Sequence, residues 1–308
     1  AAVTAVAVAA MLAGCNGGQR RYEAEFLTLF DTQTKIVGFD SSEQAFNEKV
    51  GAVHDDLNVY HELFDIYNSY DGINNLKTIN DNAGKQPVKV DKKIIELLLF
   101  GKNAYSLSQG RINIAMGSVL SIWHEYREAG IEDPAKAKLP DLADLKMAAQ
   151  HTDISKLIIN EQESTVYLED PKMRLDVGAI AKGYATEKAA LAAQDRGVRS
   201  MLLSVGGNVR AIGKKPDGAK WNVGIKNPYE NAEQENISNV YIDGYSVVTS
   251  GTYQRYYTVD GVRYHHIIDP DTLFPSQYFA AVTIICKDSG LADALSTAVF
   301  NLQFDKGQ

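Results

Sequence analysis

The sequence has few cysteines, no concentration of positive charge and no apolar run that crosses a membrane with ease. Only two of its 308 residues are cysteine, Cys15 and Cys286. If Cys15 is modified at a mature N-terminus, Cys286 is left alone, which excludes an intramolecular disulfide and a cysteine-based metal site. The net charge of −8 and the lack of a basic stretch argue against a protein that binds nucleic acid.

The N-terminal apolar segment, residues 1–13, is too short to span a bilayer comfortably. Small residues lie before Cys15 and polar residues after it, a pattern typical of a bacterial lipoprotein signal whose cysteine carries lipid after cleavage. We therefore expect residues 1–14 to be a signal peptide, residues 15–25 a tether, and the protein to be exported and lipid-anchored to the bacterial cell membrane. A signal peptide with ordinary cleavage is the alternative. Because no initiator Met and no basic segment precede the apolar run, we also expect the natural chain to begin upstream.

The first half of the chain shows the three-to-four-residue apolar spacing of amphipathic helices. After a first strand over residues 25–39, this spacing predicts one long helix, through Phe46, Val50, Val53, Leu57, Tyr60, Phe64 and Tyr67. Residues 91–109 predict a second helix, with Asp91 as its N-cap and Gly110 as its stop. Residues 128–153, charged and interrupted by prolines, predict a loop with a short helix.

Strands dominate the later part of the chain. The β-rich segments are 157–159, 166–168, 201–205, 209–212, 221–225 and 281–287. Asp260-Gly261 lies between two alternating runs and predicts a tight type I′ hairpin, and residues 291–302 predict a final helix. This order predicts an α+β fold, with N-terminal helices packed with a largely antiparallel sheet in a single domain over residues 26–308, rather than a doubly wound α/β sheet.

The segment Arg174–Tyr184 places two kinds of polar group around one predicted helix start. Asp176 would close a short apolar strand, Gly178 would allow a tight turn, and a helix would then run to Gly197. The unpaired N–H groups and partial positive charge of a helix N-terminus suit a phosphate, and Lys182 would add a full charge. A strand, turn and helix with a capping aspartate and no ligand is the alternative.

Two further groups of polar residues follow downstream. Asp293 and Thr297 are four residues apart in a predicted helix and so project from one face. Their oxygens are hard ligands that suit Mg²⁺, although a threonine bonded to its own helix is the common alternative. Strand alternation puts His265 and His266 on opposite faces, so only one of them can serve a site as a proton acceptor.

The polar motifs of this chain, and the order in which they occur, resemble those of the FAD:protein FMN transferase (ApbE) family over residues 26–304. The motifs that carry the resemblance are Asp176–Tyr184, His266–Pro270 and Ala292–Ala298, together with Phe30–Thr32, Ile79-Asn80, Arg111–Gly117, Ser204–Asn208, Ser250-Gly251 and Arg255-Tyr256. Three positions depart from the usual pattern: Phe30 replaces a methionine, Asp31 a glycine and Asn113 an aspartate. Since the family's pattern includes at least one more strand, we expect the natural chain to continue beyond Gln308.

The resemblance implies a ligand set and a chemical role for the histidine. Asp293, Thr297 and the backbone carbonyl of Ala179 match the family's metal positions, and His266 matches the histidine of its His-Ile-Ile-Asp-Pro motif. The same resemblance implies contacts with FAD for Phe30, Tyr70, Asn80, Arg111, Asn113, Asp176, Lys182 and Ile267.

The function implied by the resemblance is transfer of FMN from FAD to a threonine or serine hydroxyl of an acceptor flavoprotein. The transfer would need Mg²⁺ and release AMP, and the acceptor would serve membrane or extracellular electron transfer. Two alternatives stay open at this point: a metal-dependent FAD pyrophosphatase that yields FMN and AMP, and a non-catalytic flavin-binding lipoprotein. An ordinary solute-binding lipoprotein would instead show two α/β lobes, which the late antiparallel strands disfavour.

Overall fold

The computed structural model describes residues 18–229 and 232–307. The predicted signal peptide and Cys15 lie outside these described residues. The strands are β1 (Arg20–Leu29), β2 (Thr32–Asp40), β3 (Val88–Lys89), β4 (Leu157–Asn160), β5 (Thr165–Leu168), β6 (Met201–Val205), β7 (Asn208–Ile212), β8 (Trp221–Lys226), β9 (Asn236–Ile242), β10 (Ser246–Gly251), β11 (Tyr256–Val259), β12 (Val262–His265) and β13 (Ala281–Cys286). The α-helices are α1 (Glu43–Phe64), α2 (Leu76–Asp81), α3 (Lys92–Leu107), α4 (Gly117–Glu132), α5 (Leu142–Ala149), α6 (Ala181–Asp195), α7 (Ser289–Phe300) and α8 (Phe304–Gly307).

The chain forms two compact units, each assembled from three segments. The first unit contains the described residues up to His61 together with Ile180–Thr249 and Thr283–Asp293. The second unit contains Glu62–Ala179, Ser250–Val282 and the residues from Ala294 onward. We predicted a single domain over residues 26–308. The division into two units is not visible in the sequence, because both units combine segments that are distant along the chain.

A six-stranded sheet with the order β1-β2-β6-β7-β10-β13 organises the first unit. Its pairs β1–β2, β2–β6, β6–β7 and β7–β10 are all antiparallel. Helix α6 packs on β6 and β7, and nine of its fifteen residues are buried. An apolar cluster of the same unit contains Trp221, Val223 and Ile242 from the β8–β9 hairpin. The predicted α+β class is therefore confirmed.

The start of the chain differs from its prediction. The single strand predicted over residues 25–39 is a hairpin, because Phe30 and Asp31 adopt φ angles of 55° and 49° and turn the chain back between β1 and β2. Two successive positive φ angles are typical of the type I′ turn that joins antiparallel strands. The tether predicted for residues 15–25 is wrong from Arg20 onward, because β1 begins there and pairs with β2.

The second unit is built around the apolar face of α4. Val119 and Trp123 lie one turn apart on that face and pack with Leu145 of α5, Tyr257 of β11 and Leu273. The indole N–H of Trp123 also donates to the carbonyl of Leu273 at 2.8 Å. The loop predicted from residue 128 begins too early, since α4 continues to Glu132, but the short helix expected within that loop is α5.

The predicted β11–β12 hairpin and the predicted N-cap of α3 are confirmed, but α3 ends at a different residue from the one predicted. Asp260 and Gly261 have φ angles of 49° and 79° and join β11 to β12. Asp91 caps α3 by accepting the N–H of Lys93 at 2.8 Å. The helix ends earlier than predicted, because Gln109, ahead of Gly110, already has a φ of 52°.

Helix α1 ends before the predicted Tyr67. The carboxylate of Asp65 accepts the backbone N–H groups of Tyr67 and Asn68. An aspartate that captures nearby N–H groups offers the backbone an alternative to the helix, and the chain turns there.

Within residues 18–229 and 232–307, no helix combines the length and the apolar character that crossing a bilayer requires.

Candidate functional site

In the first unit, the start of α6 packs closely against α7. The N–H of Gly183 donates to Oδ2 of Asp293 at 2.8 Å. A Cβ atom on Gly183 would lie 2.4 Å from Asp293 Cβ and 2.4 Å from the carbonyl oxygen of Ser289. Only glycine therefore allows this crossing, and the hydrogen bond ties the predicted metal ligand Asp293 to the first turn of α6, which also carries Lys182.

Asp293 is a buried carboxyl, with 6% of its surface exposed. Burial raises its pKa, while the charge of Lys182 and the hydrogen bond from Gly183 act in the opposite direction. A carboxylate buried at this depth is costly unless a positive group or several donors compensate for the lost water. The position suits a group that binds a cation.

We expect Gly183→Ala to destabilise the protein by about 1–3 kcal/mol or more, because overpacking in a tight contact forces backbone shifts. The Ser289 carbonyl is backbone and cannot rotate away as a side chain can. Urea unfolding of the variant and of the unmodified protein would measure the difference in the free energy of unfolding.

Gly51→Ala is the matched control for this substitution. Gly51 is exposed in α1, and nothing lies within 4 Å of an added Cβ there. Alanine in such a helix position should be neutral or stabilise by up to about 1 kcal/mol. Equal stability changes in the two variants would show that the contact between Gly183 and α7 has no energetic importance.

A buried ion pair that the sequence pattern does not indicate holds the N-terminus of α7. Arg210 of β7 contacts both carboxylate oxygens of Glu187, at 2.8 and 3.1 Å. Oε2 of Glu187 also accepts the N–H of Ser289 at 2.8 Å. Glu187 is only 8% exposed, although it lies within an Ala/Glu/Lys-rich stretch that looks solvent-facing. Five of the nine buried positions of α6 are alanines, small residues that carry little periodic signal.

In the second unit, the hydroxyl of Thr297 contacts another element rather than its own helix. The Thr297 hydroxyl lies 3.3 Å from Oγ of Ser250. Oγ of Ser250 also lies 2.8 Å from Oγ of Ser296. The alternative interpretation, in which Thr297 bonds to the carbonyl four residues earlier, is not the arrangement found. Thr297 and Asp293 lie on α7 with the four-residue spacing that puts them on one helix face.

The segment before α6 is extended, but it is not the strand predicted to end at Asp176. Arg174 forms an isolated bridge with Met116, and the N–H of Asp176 donates to the carbonyl of Ile114 at 2.9 Å. Oδ1 of Asp176 accepts the N–H of Gly178 at 2.8 Å. Asp176 therefore shapes the turn between Leu175 and Ala179, whereas Ile180 is the N-cap residue of α6 and provides no side-chain cap.

Two of the predicted FAD-contact residues fix this region through their amide groups. Asn80 donates to the carbonyl of Leu175 at 3.0 Å and accepts its N–H at 2.7 Å, across 95 residues of sequence. Asn113 donates to the carbonyl of Thr152 and accepts the N–H of Ala115, both at 2.9 Å. Both asparagines hold backbone in place, a role that the resemblance did not indicate.

The other predicted FAD-contact residues have varied surroundings. Arg111 pairs with Asp271 at 2.6 Å and with Asp269 at 3.4 Å, and the hydroxyl of Tyr70 donates to Asp65 at 2.8 Å. In the first unit, the ring of Phe30 meets His61 edge to face, with 5.5 Å between ring centroids. Ile267 is a buried residue of the second unit, 5% exposed.

The strand predicted to contain both His265 and His266 ends at His265, and His266 lies just beyond it. His265 is 4% exposed; its Nε2 donates to the carbonyl of Ser276 at 2.7 Å and its Nδ1 accepts the N–H of Ile267 at 3.2 Å. Burial lowers the pKa of His265, and the bond to Ser276 opposes this in part. His266, just beyond β12, is less buried, and its Nδ1 donates to the carbonyl of Arg255 at 3.2 Å.

The bond to Arg255 fixes the tautomer of His266. A carbonyl oxygen can only accept, so Nδ1 carries a proton, and in the neutral imidazole Nε2 is then the basic nitrogen. The imidazole is therefore oriented by backbone and can act as a base through Nε2. Both ring nitrogens of His265 bond to backbone groups.

A second histidine environment in the same unit was missed. Nδ1 of His124 lies 2.6 Å from Arg127 Nη2, and its ring lies beside Tyr67, with centroids 5.1 Å apart. Burial and the charge of Arg127 lower the pKa of His124. Only the position of His124 next to Trp123 distinguishes it in the sequence, which is too weak a signal to select it.

Across residues 18–229 and 232–307, no three His, Cys, Asp or Glu side chains come together as a metal-binding group. An ion held by one carboxylate, one hydroxyl and one backbone carbonyl would not require such a group. The predicted set of Asp293, Thr297 and Ala179 is of that second kind, and Mg²⁺ commonly completes its coordination with water and substrate phosphates.

Comparison with known proteins gives a consistent result. The model of the ApbE family matches residues 30–308. The FAD:protein FMN transferase of Klebsiella pneumoniae (strain 342) is 35% identical over 230 residues, covering 74% of this chain and 68% of that protein. The enzyme of the same name from Treponema pallidum (strain Nichols) is 36% identical over 245 residues, covering 75% of this chain and 66% of that protein. The chain thus spans about two thirds of the length of these relatives.

Solved structures show the same fold. The crystal structure of the ApbE protein from Thermotoga maritima superposes with a TM-score of 0.80 at 29% identity, covering 92% of this chain and 87% of that one. The apo form of the flavinyl transferase ApbE from Pseudomonas stutzeri gives a TM-score of 0.76 at 26% identity, covering 94% and 86%.

Proposed function

The chain belongs to the ApbE family, and from this premise we propose that it transfers FMN from FAD to a serine or threonine hydroxyl of an acceptor flavoprotein, with Mg²⁺ as cofactor and AMP as the leaving group. It is an enzyme of the FAD:protein FMN transferase kind, with FAD as the donor substrate. The ion, the acceptor hydroxyl and the nucleotide released are the parts that need a test.

The observation that carries the proposal is the set of contacts made by the two predicted oxygen ligands on α7. Asp293 is buried and fixed by the Gly183 N–H, and the Thr297 hydroxyl contacts Ser250 instead of its own helix. This set of hard oxygen donors fits Mg²⁺. The carbonyl of Ala179 remains the predicted third ligand. When bound, the ion would offset the negative charge that develops on the phosphate during transfer.

The side chains then have distinct roles in the proposed reaction. Lys182 in the first turn of α6 supplies positive charge and N–H groups for the pyrophosphate of FAD. Nε2 of His266 accepts the proton of the acceptor hydroxyl as its oxygen attacks the phosphorus on the flavin side. A new bond forms between this phosphorus and the acceptor oxygen, the bond to the bridging oxygen breaks, and AMP leaves with that oxygen.

The test is incubation of the protein with FAD, MgCl₂ and a candidate acceptor protein that carries exposed serine and threonine residues. We expect the acceptor to gain the mass of one FMN and AMP to appear in equal amount. Release of FMN and AMP with an unmodified acceptor would instead indicate an FAD pyrophosphatase, in which water replaces the hydroxyl. Binding of FAD without either product would indicate a non-catalytic flavin-binding protein.

We also propose that the protein is exported and held at the bacterial membrane through lipid on Cys15. In cells that express the natural gene, the protein should sediment with membranes, and Cys15→Ala should release it or block its maturation. Stable attachment requires more than one acyl chain, at about 0.8 kcal/mol per buried methylene. Mass spectrometry of the mature N-terminus checks the prediction, with Cys286→Ala as a control that should stay in the membrane fraction. A mature N-terminus at any residue other than Cys15 would contradict it.

A further inference from the structure

Three hydroxyl groups of the second unit form a short chain that includes the predicted metal ligand Thr297. Ser250 lies near the end of β10, and its Oγ contacts Ser296 at 2.8 Å and Thr297 at 3.3 Å. Ser296 is completely buried, with an exposed fraction of 0%. Because each hydroxyl has one hydrogen and two lone pairs, the direction of the hydrogens along this chain determines what Thr297 can offer to a ligand.

A hydroxyl that binds a cation must use an oxygen lone pair and must direct its hydrogen elsewhere. If the hydrogen of Thr297 pointed to the carbonyl of Asp293, as in the common helix back-bond, the rotamer would be set by the helix and not by the ion. Ser250 Oγ lies 3.3 Å from the Thr297 hydroxyl and offers its hydrogen an acceptor on another element. If Thr297 is the donor in this contact, the lone pairs of its oxygen are kept for a ligand.

We infer that Ser250 is a positioning residue for the metal site. Its Oγ accepts the hydrogen of Thr297 and passes its own hydrogen to Ser296, which sets the rotamer and the lone-pair direction of Thr297. The inference rests on the proposed function, since it assumes that Thr297 binds the ion. Partners that orient a metal ligand without touching the metal typically change affinity by about 10–100-fold when they are removed.

A neighbouring hydroxyl pair provides a matched comparison. Thr249 precedes Ser250 in β10, and its Oγ1 lies 2.9 Å from Oγ1 of Thr283 in β13. This pair belongs to the first unit and has the same chemistry, but its partner is a strand residue and not Thr297. Thr283→Val removes one hydroxyl with little change in shape, and it should leave the Thr297 hydroxyl as it is.

The experiment measures Mn²⁺ affinity, with Mn²⁺ as a paramagnetic substitute for Mg²⁺, by the loss of the free-ion EPR signal in the full chain without FAD. We expect Ser250→Ala to raise the Kd for Mn²⁺ by about 10–100-fold. Ser250→Thr, which keeps the hydroxyl, should stay within a few-fold of the unmodified protein, and Thr283→Val should not change the Kd. Thermal unfolding of each variant shows whether the fold is intact.

Ser296→Ala tests the direction of the hydrogens. Without Ser296 as its acceptor, the Ser250 hydrogen turns to Thr297 and occupies one of its lone pairs. Ser296→Ala should therefore also weaken Mn²⁺ binding, although it leaves both Ser250 and Thr297 in place. Unchanged affinity in this variant would overturn the proposed direction.

The outcomes separate this inference from the proposed function. If Thr297→Ala loses Mn²⁺ binding while Ser250→Ala binds as the unmodified protein does, the positioning role of Ser250 is wrong and the metal site stands. If neither substitution affects Mn²⁺ binding, Thr297 is not a ligand, and the ligand set and the role of Ser250 both fail. If Ser250→Ala weakens binding and Ser250→Thr restores it, the inference is supported.

Discussion

Asp293→Asn should lower the rate of AMP release by at least about 10³-fold, which corresponds to about 4 kcal/mol of lost transition-state stabilisation. The amide is close in shape to the carboxylate, and its oxygen can still accept the Gly183 N–H that Asp293 accepts at 2.8 Å. The substitution therefore removes the charge that would hold the ion and keeps the contact between α6 and α7. Affinity for FAD in the absence of metal should change little, because Asp293 would bind the ion and not the flavin.

Three further measurements check this prediction. Asp195→Asn replaces an exposed aspartate at the other end of α6 and should leave the rate unchanged. EDTA should reproduce the loss in the unmodified protein, and Thr297→Ala should cause a loss in the same direction. AMP release would be followed by chromatography at saturating FAD and MgCl₂. Turnover by Asp293→Asn at the normal rate without added metal would remove Asp293 and the ion from the reaction.

The elements that could be predicted from sequence are those whose signal is local. Asp91 could be identified as an N-cap and Asp260-Gly261 as a type I′ turn, because cap and turn chemistry act over a few residues. Both features are found in the structure as predicted.

The features that could not be predicted depend on contacts between distant segments. The amide of Asn80 forms a two-point contact with Leu175 that only the fold creates. The ion pair of Arg210 with Glu187 joins a strand to a helix, and nothing in an alanine-rich helix marks one glutamate as buried. The turn at Phe30 and Asp31 was missed because neither residue is the glycine or asparagine that usually marks positive φ angles.

His266 carries the second prediction of large effect. His266→Ala should reduce transfer of FMN by about 10²–10⁴-fold, the usual cost of losing a general base, while FAD stays bound. The physical reason is the orientation of the ring, since Nδ1 donates to the carbonyl of Arg255 at 3.2 Å and Nε2 is then the basic nitrogen of the neutral imidazole. Rates would be measured by the mass of the acceptor under single-turnover conditions.

Two further substitutions distinguish proton transfer by the His266 ring from a purely orienting role. His266→Asn can keep a donor near the position of Nδ1 for the Arg255 carbonyl but has no base, so it should be as slow as His266→Ala if proton transfer is the role. His54→Ala, a change at a partly exposed histidine of α1, is the control and should be neutral. His265 is a poorer control, because its bonds to Ser276 and Ile267 are internal and its removal would cost stability. Near-normal transfer by His266→Asn would mean that His266 orients its surroundings through the Arg255 contact and does not take the proton.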